Sequence, residues 1–329
     1  MATAFITGIT GQDGAYLAQF LLDRGYRVIG LVHGSVASRT AMWRLQWLGI
    51  LDSVELVSGD VTDLSNLLRI IESYAPDEVY NLASQSLVAT SWNQPLRTGS
   101  VTGLGPVHVL EALRLTQSPA RFYQASSSEM FGRAEHAVQS ELTPFRPRSP
   151  YGVAKLHAHW MTVNYRESFG MHATSGILFN HESPLRGVEF VTRKITDGVA
   201  RIKLGLARQL ALGDLNVRRD WGHARDYVRA MWLMLQQAEP SDYVVATGRV
   251  RSIQEACQVA FSCVDLNAED YVVSDATFFR PSEIAATCGD AGKAKRVLGW
   301  EPSISFEEMI AEMIDVDLSR HRGKPPSQR

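Results

Sequence analysis

The sequence predicts an α/β fold, a doubly wound parallel sheet with a smaller C-terminal α/β region. Three observations carry that expectation. Short apolar runs alternate with stretches of helical apolar spacing through the first half of the chain. A glycine-rich turn separates the first such run from the first helix. Beyond residue 180 the alternation loosens into polar loops and separate helices. The 329 residues, 45% hydrophobic and 21% charged, suit one large α/β domain with a companion. A net charge of -2 gives no electrostatic case for a nucleic-acid partner. Cys257, Cys263 and Cys288 lack metal-ligand spacing, so no metal site is expected and they read as small hydrophobes in a reducing compartment. The chain starts straight into a strand, without the charged start and apolar core of a signal peptide, and no stretch is apolar enough to span a membrane. A cytoplasmic protein is expected.

Taken in order, Ala4 to Thr7 is an apolar strand, and the helical pattern begins at Ala15. Between them Gly8, Gly11 and Gly14 are spaced G-x-x-G-x-x-G, one residue off the usual dinucleotide fingerprint. Glycines let the backbone turn and approach a pyrophosphate seated on the helix N-terminus. The turn Gly8, Thr10, Gly11, Gln12, Asp13, Gly14 is therefore a candidate cofactor site in a Rossmann-type domain. The strand from Arg27 to Val32 ends in His33-Gly34, without the acid that reads the ribose of NAD. Ser35, Ser38, Arg39 and Arg44 follow and suit a 2′-phosphate, which favours NADP over NAD. A strand over 54–58 leads to Asp60 and Val61 on the adenine side, with Asp63 or Thr62 capping a helix near Leu64. A strand begins at Glu78, one helix is expected from Pro95 to Leu115, and a buried strand covers 121–126. Ligands bind at the carboxyl ends of such strands, where Ser127, Ser128 and Glu129 fall. A helix over 149–168 precedes a strand over 173–179. Then come a polar loop over 180–187, a helix over 190–204, a helix after Arg218-Arg219-Asp220-Trp221, and two closing helices over 291–298 and 305–319. The expected division is a cofactor domain, 1–179, also receiving part of 215–250, and a second region, 180–329.

Tyr151 and Lys155 stand four apart and share one helical face. An ammonium beside a phenol favours the phenolate and lowers the tyrosine pKa. Such a phenol can take a proton from an alcohol near neutral pH. A hydroxyl at Ser127 can orient that alcohol, and a carboxylate at Glu129 can move a proton on a carbon next to a carbonyl. Each residue alone is more often structural: a helix-start tyrosine, a strand-end carboxylate, a capping serine. Together with the glycine turn they are better explained by a nicotinamide-dependent site.

The segments Thr7 to Gly14, Tyr80-Asn81-Leu82-Ala83, Phe122 to Ser126, Pro147 to Lys155, Phe179 to Pro184, Phe190 to Lys194, Arg219-Asp220-Trp221-Gly222 and Phe279-Arg280-Pro281 span nearly the whole chain. Through them it resembles the extended short-chain dehydrogenases/reductases and, within that class, the GDP-mannose 4,6-dehydratase family. The resemblance implies a 4,6-dehydration with internal hydride transfer through NADP and Ser127, Glu129, Tyr151 and Lys155 as catalytic residues. It implies that Leu82, Ala83 and Ser86, with Tyr151 and Lys155, line the cofactor. It also implies that Ser86, Asn180, Val191, Lys194, Arg219, Arg280 and Glu283 join Ser127 and Glu129 around a GDP-sugar. A homo-oligomer, dimer or tetramer, is implied as well. Three departures stand out: serine at Ser127 where the family has threonine, His33-Gly34 where it has paired arginines, and Ile284 to Cys288 where it has an acidic residue and leucines. Alternative expectations are the same reaction on another GDP-sugar such as GDP-manno-heptose, an epimerase or ketoreductase, and a non-catalytic nucleotide-sugar-binding protein. Glu129 weighs against a simple reductase, which needs no base at C5.

Overall fold

A computed structural model describes residues 1–34, 42–278, 282 and 284–323. Seven strands form the main sheet: β1 (Thr3–Thr7), β2 (Arg27–Val32), β3 (Glu55–Ser58), β4 (Glu78–Asn81), β5 (Arg121–Ser127), β6 (Ala173–Leu178) and, after an excursion, β10 (Asp242–Val245). Their order is β10-β6-β5-β4-β1-β2-β3, and every pairing is parallel. Residues alternate between two buried faces, as a doubly wound sheet requires. Ala4 and Ile6 point into a core with Leu17, Tyr80, Tyr227 and Met231, whereas Phe5 joins Ile29, Val79, Val109 and Phe122 on the other side. The order reverses between β1 and β4, which opens a crevice at their carboxyl ends. There Thr7 Oγ1 donates to Asn81 Oδ1 at 2.7 Å, and Asn81 Nδ2 donates to Gln124 Oε1 at 2.8 Å, locking the three strand ends together.

The helices in chain order are α1 (Gln12–Leu22), α2 (Trp43–Trp47), α3 (Leu64–Tyr74), α4 (Val88–Asn93), α5 (Pro95–Thr98), α6 (Gly105–Leu115), α7 (Pro150–Phe169), α8 (Val191–Lys203), α9 (Ala224–Leu235), α10 (Ile253–Ser262), α11 (Gly292–Leu298) and α12 (Phe306–His321). Asp63 caps α3 by accepting from Asn66 N at 3.1 Å. The single helix expected from Pro95 to Leu115 is interrupted by a π-helical turn at Gly99–Leu104. Pro106 has no N–H for the carbonyl four residues back, so the α ladder cannot run through.

The chain then builds a second layer. β7 (Asn180–Glu182), expected as loop, pairs in parallel with β9 (Arg218–His223), which β11 (Val250–Ser252) joins from its other side. β7 has no sequence signal because its partner lies far along the chain. β8 (Leu210–Leu212) pairs with β12 (Val272–Ser274). Ile195, Val199, Phe261, Met309 and Met313 fill the core beneath them. Two capping boxes, Ser252 with Glu255 and Ser305 with Glu308, start α10 and α12. Asp220 on β9 accepts from Thr247 N at 2.8 Å, Gly248 N at 2.9 Å and Gly289 N at 3.2 Å, which fastens this layer to the segment leaving β10.

Candidate active site

A cavity of about 890 Å³ lies between the carboxyl ends of the central strands and the second layer, and Ser127, Glu129, Tyr151 and Lys155 share its wall. Local structure puts them there. Ser149 Oγ accepts from Gly152 N at 3.0 Å, and Pro150 opens α7, so Tyr151 sits in the first turn and Lys155 one turn on. A Cβ on Gly152 would lie 2.7 Å from the Glu129 carbonyl oxygen. Only glycine lets α7 approach the short 3₁₀ turn, Ser128–Met130, that carries Glu129. Ser127 ends β5, and its Oγ accepts from Glu129 N at 3.2 Å.

The electrostatics correct one expectation. The Tyr151 phenol is raised and not lowered, and the Lys155 Nζ donates to the Ala125 carbonyl at 2.7 Å, 5.7 Å from the centroid of the Tyr151 ring. Burial pushes the Tyr151 phenol up to about 12, and the Glu129 charge adds to this, against Ser127, Arg186 and Ser84, which pull it down. Burial also draws the Lys155 ammonium down to about 8, against the opposing charge of Asp13.

The floor is an ion pair that local sequence could not announce. His181 Nε2 lies 2.8 Å from Asp13 Oδ2, across 168 residues of chain, and its ring stacks on Tyr227 at 4.5 Å. Burial alone would raise the Asp13 carboxyl, but His181 and Gln12 hold it at about 2. Burial would lower the imidazole, but Asp13 raises it above its ordinary value. The stability from the raised His181 is full below its unfolded pKa and is lost as pH rises through its folded one. The Asp13 share is full above the unfolded carboxylate pKa and is lost only as pH falls towards about 2. Asp13→Asn leaves an imidazole in this buried place without its counter-charge. It should lower the unfolding free energy by about 3 kcal/mol near pH 6 and by less at pH 9. Urea denaturation at the two pH values checks this, and equal losses would contradict it.

Most described candidates gather at this cavity: Asp13, Leu82, Ser86, Asn180, Val191, Lys194 and Arg219 line it with the four catalytic candidates. Lys194 Nζ stands 3.3 Å from the centroid of the Phe278 ring, and burial lowers its pKa. Arg219 Nη1 donates to the carbonyls of Arg218 at 2.9 Å and Ile284 at 2.7 Å, which fixes its fork. Gly8, Thr10, Gly11, Gln12 and Gly14 form the turn behind Asp13, outside the cavity wall. Gly8 needs its φ of +74° and has no room for a Cβ, which would lie 2.8 Å from Ala83 N. Gly11 caps α1 with no side chain over the helix amides, an arrangement that fits a pyrophosphate. The Gln12 side chain is used structurally, donating to the His181 carbonyl at 3.1 Å and accepting from Ser183 Oγ at 2.7 Å. Ala83 N donates to Thr7 Oγ1 at 3.2 Å. Asp60 accepts from Thr62 N and Oγ1, both at 2.8 Å, and lies 3.1 Å from His33 Nδ1. Val61 is buried against Gly105.

Arg44 is a second correction. It is not a free phosphate reader, because its Nε donates to the Leu185 carbonyl at 2.7 Å and its Nη1 to that of Thr10 at 3.0 Å. Ser35, Arg39, Arg280 and Glu283 lie outside the described residues. Residues of the wall that the sequence did not single out include Ser84 and Phe278, whereas Trp92 and Glu182 fall in the loops 86–92 and 180–186 expected to contact the sugar. Glu182 is buried, accepting from Thr192 Oγ1 at 2.6 Å and lying 3.0 Å from Arg186 Nε. Among the described residues no cluster of His, Cys, Asp and Glu could hold a metal.

A parallel sheet reversing at β1 and β4, a glycine turn at that reversal and a Tyr-x-x-x-Lys helix over the strand ends define the Rossmann-type short-chain dehydrogenase/reductase class. The family described as GDP-mannose 4,6 dehydratase matches residues 5–313. GDP-mannose 4,6 dehydratase 2 of Arabidopsis thaliana is 51% identical over 325 residues, covering 96% of this chain and 86% of the relative. GDP-mannose 4,6-dehydratase of Yersinia enterocolitica is 46% identical over 354 residues, covering 97% and 95%. The solved structure of RMD from Pseudomonas aeruginosa complexed with NADPH superposes with a TM-score of 0.80 at 23% identity, covering 97% of this chain and all of that one. The chain belongs to the GDP-mannose 4,6-dehydratase family.

Proposed function

We propose that the protein converts GDP-D-mannose to GDP-4-keto-6-deoxy-D-mannose and water, with NADP as its resident cofactor. The observation that carries this is the meeting of an alcohol-oxidising pair with a carboxylate: Glu129 stands on the same wall as Ser127 and Tyr151. Ser127 orients the C4 hydroxyl and Tyr151 removes its proton. When bound, the nicotinamide supplies a hydride acceptor for C4 and a donor for C6. The C4 ketone acidifies the C5 hydrogen, which Glu129 takes, and a proton from Glu129 lets the C6 hydroxyl leave as water. Reprotonation at C5 completes the product. Lys155 braces the end of β5 through Ala125 and brings a positive charge to the wall. The glycine turn with Asp60, Val61, Leu82, Ala83 and Ser86 would hold NADP, and the absence of an acid at the end of β2 favours it over NAD.

Asn180, Val191, Lys194 and Arg219 would hold the GDP portion, with Arg280 and Glu283 beyond them. In domain terms, residues 1–179 with part of 215–250 would serve the cofactor, and most of 180–329 the nucleotide sugar. No described helix is long and apolar enough to cross a membrane, and a free nucleotide sugar is in keeping with a cytoplasmic enzyme. A homo-oligomer, dimer or tetramer, would cover the apolar face where Leu96 is 88%, Trp160 55% and Val153 56% exposed. Purified protein supplied with GDP-mannose and catalytic NADP should form the 4-keto-6-deoxy product without accumulating NADPH. Inert GDP-mannose beside a converted GDP-heptose would reassign the substrate, and no reaction with either would overturn the catalytic reading.

A further inference from the structure

We propose that Ser84, oriented by Thr102, is a positioning residue that gives Tyr151 a hydrogen bond besides that of Ser127. The inference rests on the proposed role of Tyr151. It begins from a chain of hydroxyls. Gln85 N donates to Thr102 Oγ1 at 3.0 Å, and an amide N–H can only donate, so the threonine oxygen is the acceptor there. Thr102 Oγ1 still carries a hydrogen, and Ser84 Oγ lies 3.2 Å away to receive it. The Ser84 hydrogen is then free to point onward. Ser84 lines the cavity with Tyr151, and its hydroxyl faces the phenol. With Thr102 as the donor to Ser84, every link from the Gln85 amide through Thr102 and Ser84 donates toward the tyrosine oxygen. Such a chain stabilises negative charge at its end more than a phenol hydrogen.

The fold supplies the unusual part. Thr102 is 1% exposed and belongs to the π-helical turn, which sets it against the loop leaving β4. A plain α-helix through 99–104 would turn that residue by a different angle. The need is also visible. Burial raises the phenol, and the Lys155 ammonium is held by the Ala125 carbonyl, so two neutral hydroxyls and the charge of Arg186 are left to oppose the rise. Ser84 and Ser127 both act in that direction.

The test uses the NADP-loaded protein carrying tyrosine labelled with ¹³C at Cζ, in which Tyr151→Phe identifies the Tyr151 resonance. Ser84→Ala should move the midpoint of its titration upward by about one pH unit, and Ser84→Thr should restore it. Thr102→Val, which keeps the volume but removes the orienting hydroxyl, should give a smaller upward move, and adding it to Ser84→Ala should change nothing further. In turnover, Ser84→Ala should lower kcat about tenfold below the midpoint, shift the alkaline rise of the pH profile and leave KM in place. An unmoved Tyr151 resonance in both Ser84→Ala and Thr102→Val would overturn the proposal. The resonance reports without turnover, so a protein inert towards GDP-mannose whose Tyr151 signal still moves in Ser84→Ala would sink the assigned reaction and not this contact.

Discussion

Glu129→Gln should stop formation of the 4-keto-6-deoxy sugar while C4 oxidation continues. The amide keeps the size of the side chain and its place on the 3₁₀ turn that Ser127 caps. What it loses is the ability to take the C5 proton, and a positioned base of this kind contributes about 10²- to 10⁴-fold. In the proposed mechanism oxidation at C4 depends on Tyr151 and Ser127, neither of which is touched. The substitution also removes the carboxylate charge that adds to the burial-driven rise of the Tyr151 phenol, so the first step has no electrostatic reason to slow. In a single turnover reduced nicotinamide should therefore accumulate by absorbance, whereas in the unaltered protein it passes through only transiently. Product measured by NMR should fall by about three orders of magnitude. Wild-type turnover in this variant would remove Glu129 from its role.

Tyr151→Phe should show the complementary loss. With no phenolate to accept the C4 hydroxyl proton, oxidation itself should fall by about 10²- to 10⁴-fold, and no reduced nicotinamide should build up. The sign of the pH dependence follows from burial. The phenol is raised to about 12, so the base form is scarce at neutral pH and grows as pH rises. The oxidation rate of the unaltered protein should climb between pH 6 and 9, and the residual rate of the phenylalanine variant should not. Stopped-flow absorbance across that range separates the two. A variant that still accumulated reduced cofactor at the normal rate would show that another group takes the proton.

What the sequence made legible is what is encoded locally. The glycine turn is read from spacing because backbone approach forbids a side chain at Gly8. Tyr151 and Lys155 are read from helical period, and Ser127 with Glu129 from their place after an apolar strand. The orientation of Lys155 was not legible, because its partner is a backbone carbonyl 30 residues earlier. The same holds for the Asp13–His181 pair and for β7, whose partners arrive only when the second layer folds back. Arg44 illustrates the opposite failure. Its charge beside the second strand suggested phosphate, yet two carbonyls of distant loops claim it. The break at Gly99–Leu104 was visible in principle through Pro106, but apolar periodicity passed over it.

The late return of β10 to the sheet has a consequence for how the protein can be taken apart. β6 has its outer neighbour in residues 242–245, and among the helices α1 packs most extensively on α9. A fragment ending at residue 179 would retain the glycine turn and the Tyr151 helix, yet would carry an unpaired strand edge and a bare apolar helix face. A ribosome-bound chain passes through that same state until some 60 further residues emerge. The two halves of the protein are thus not separable by scissors, and this family member must be engineered or fused as a single uninterrupted chain.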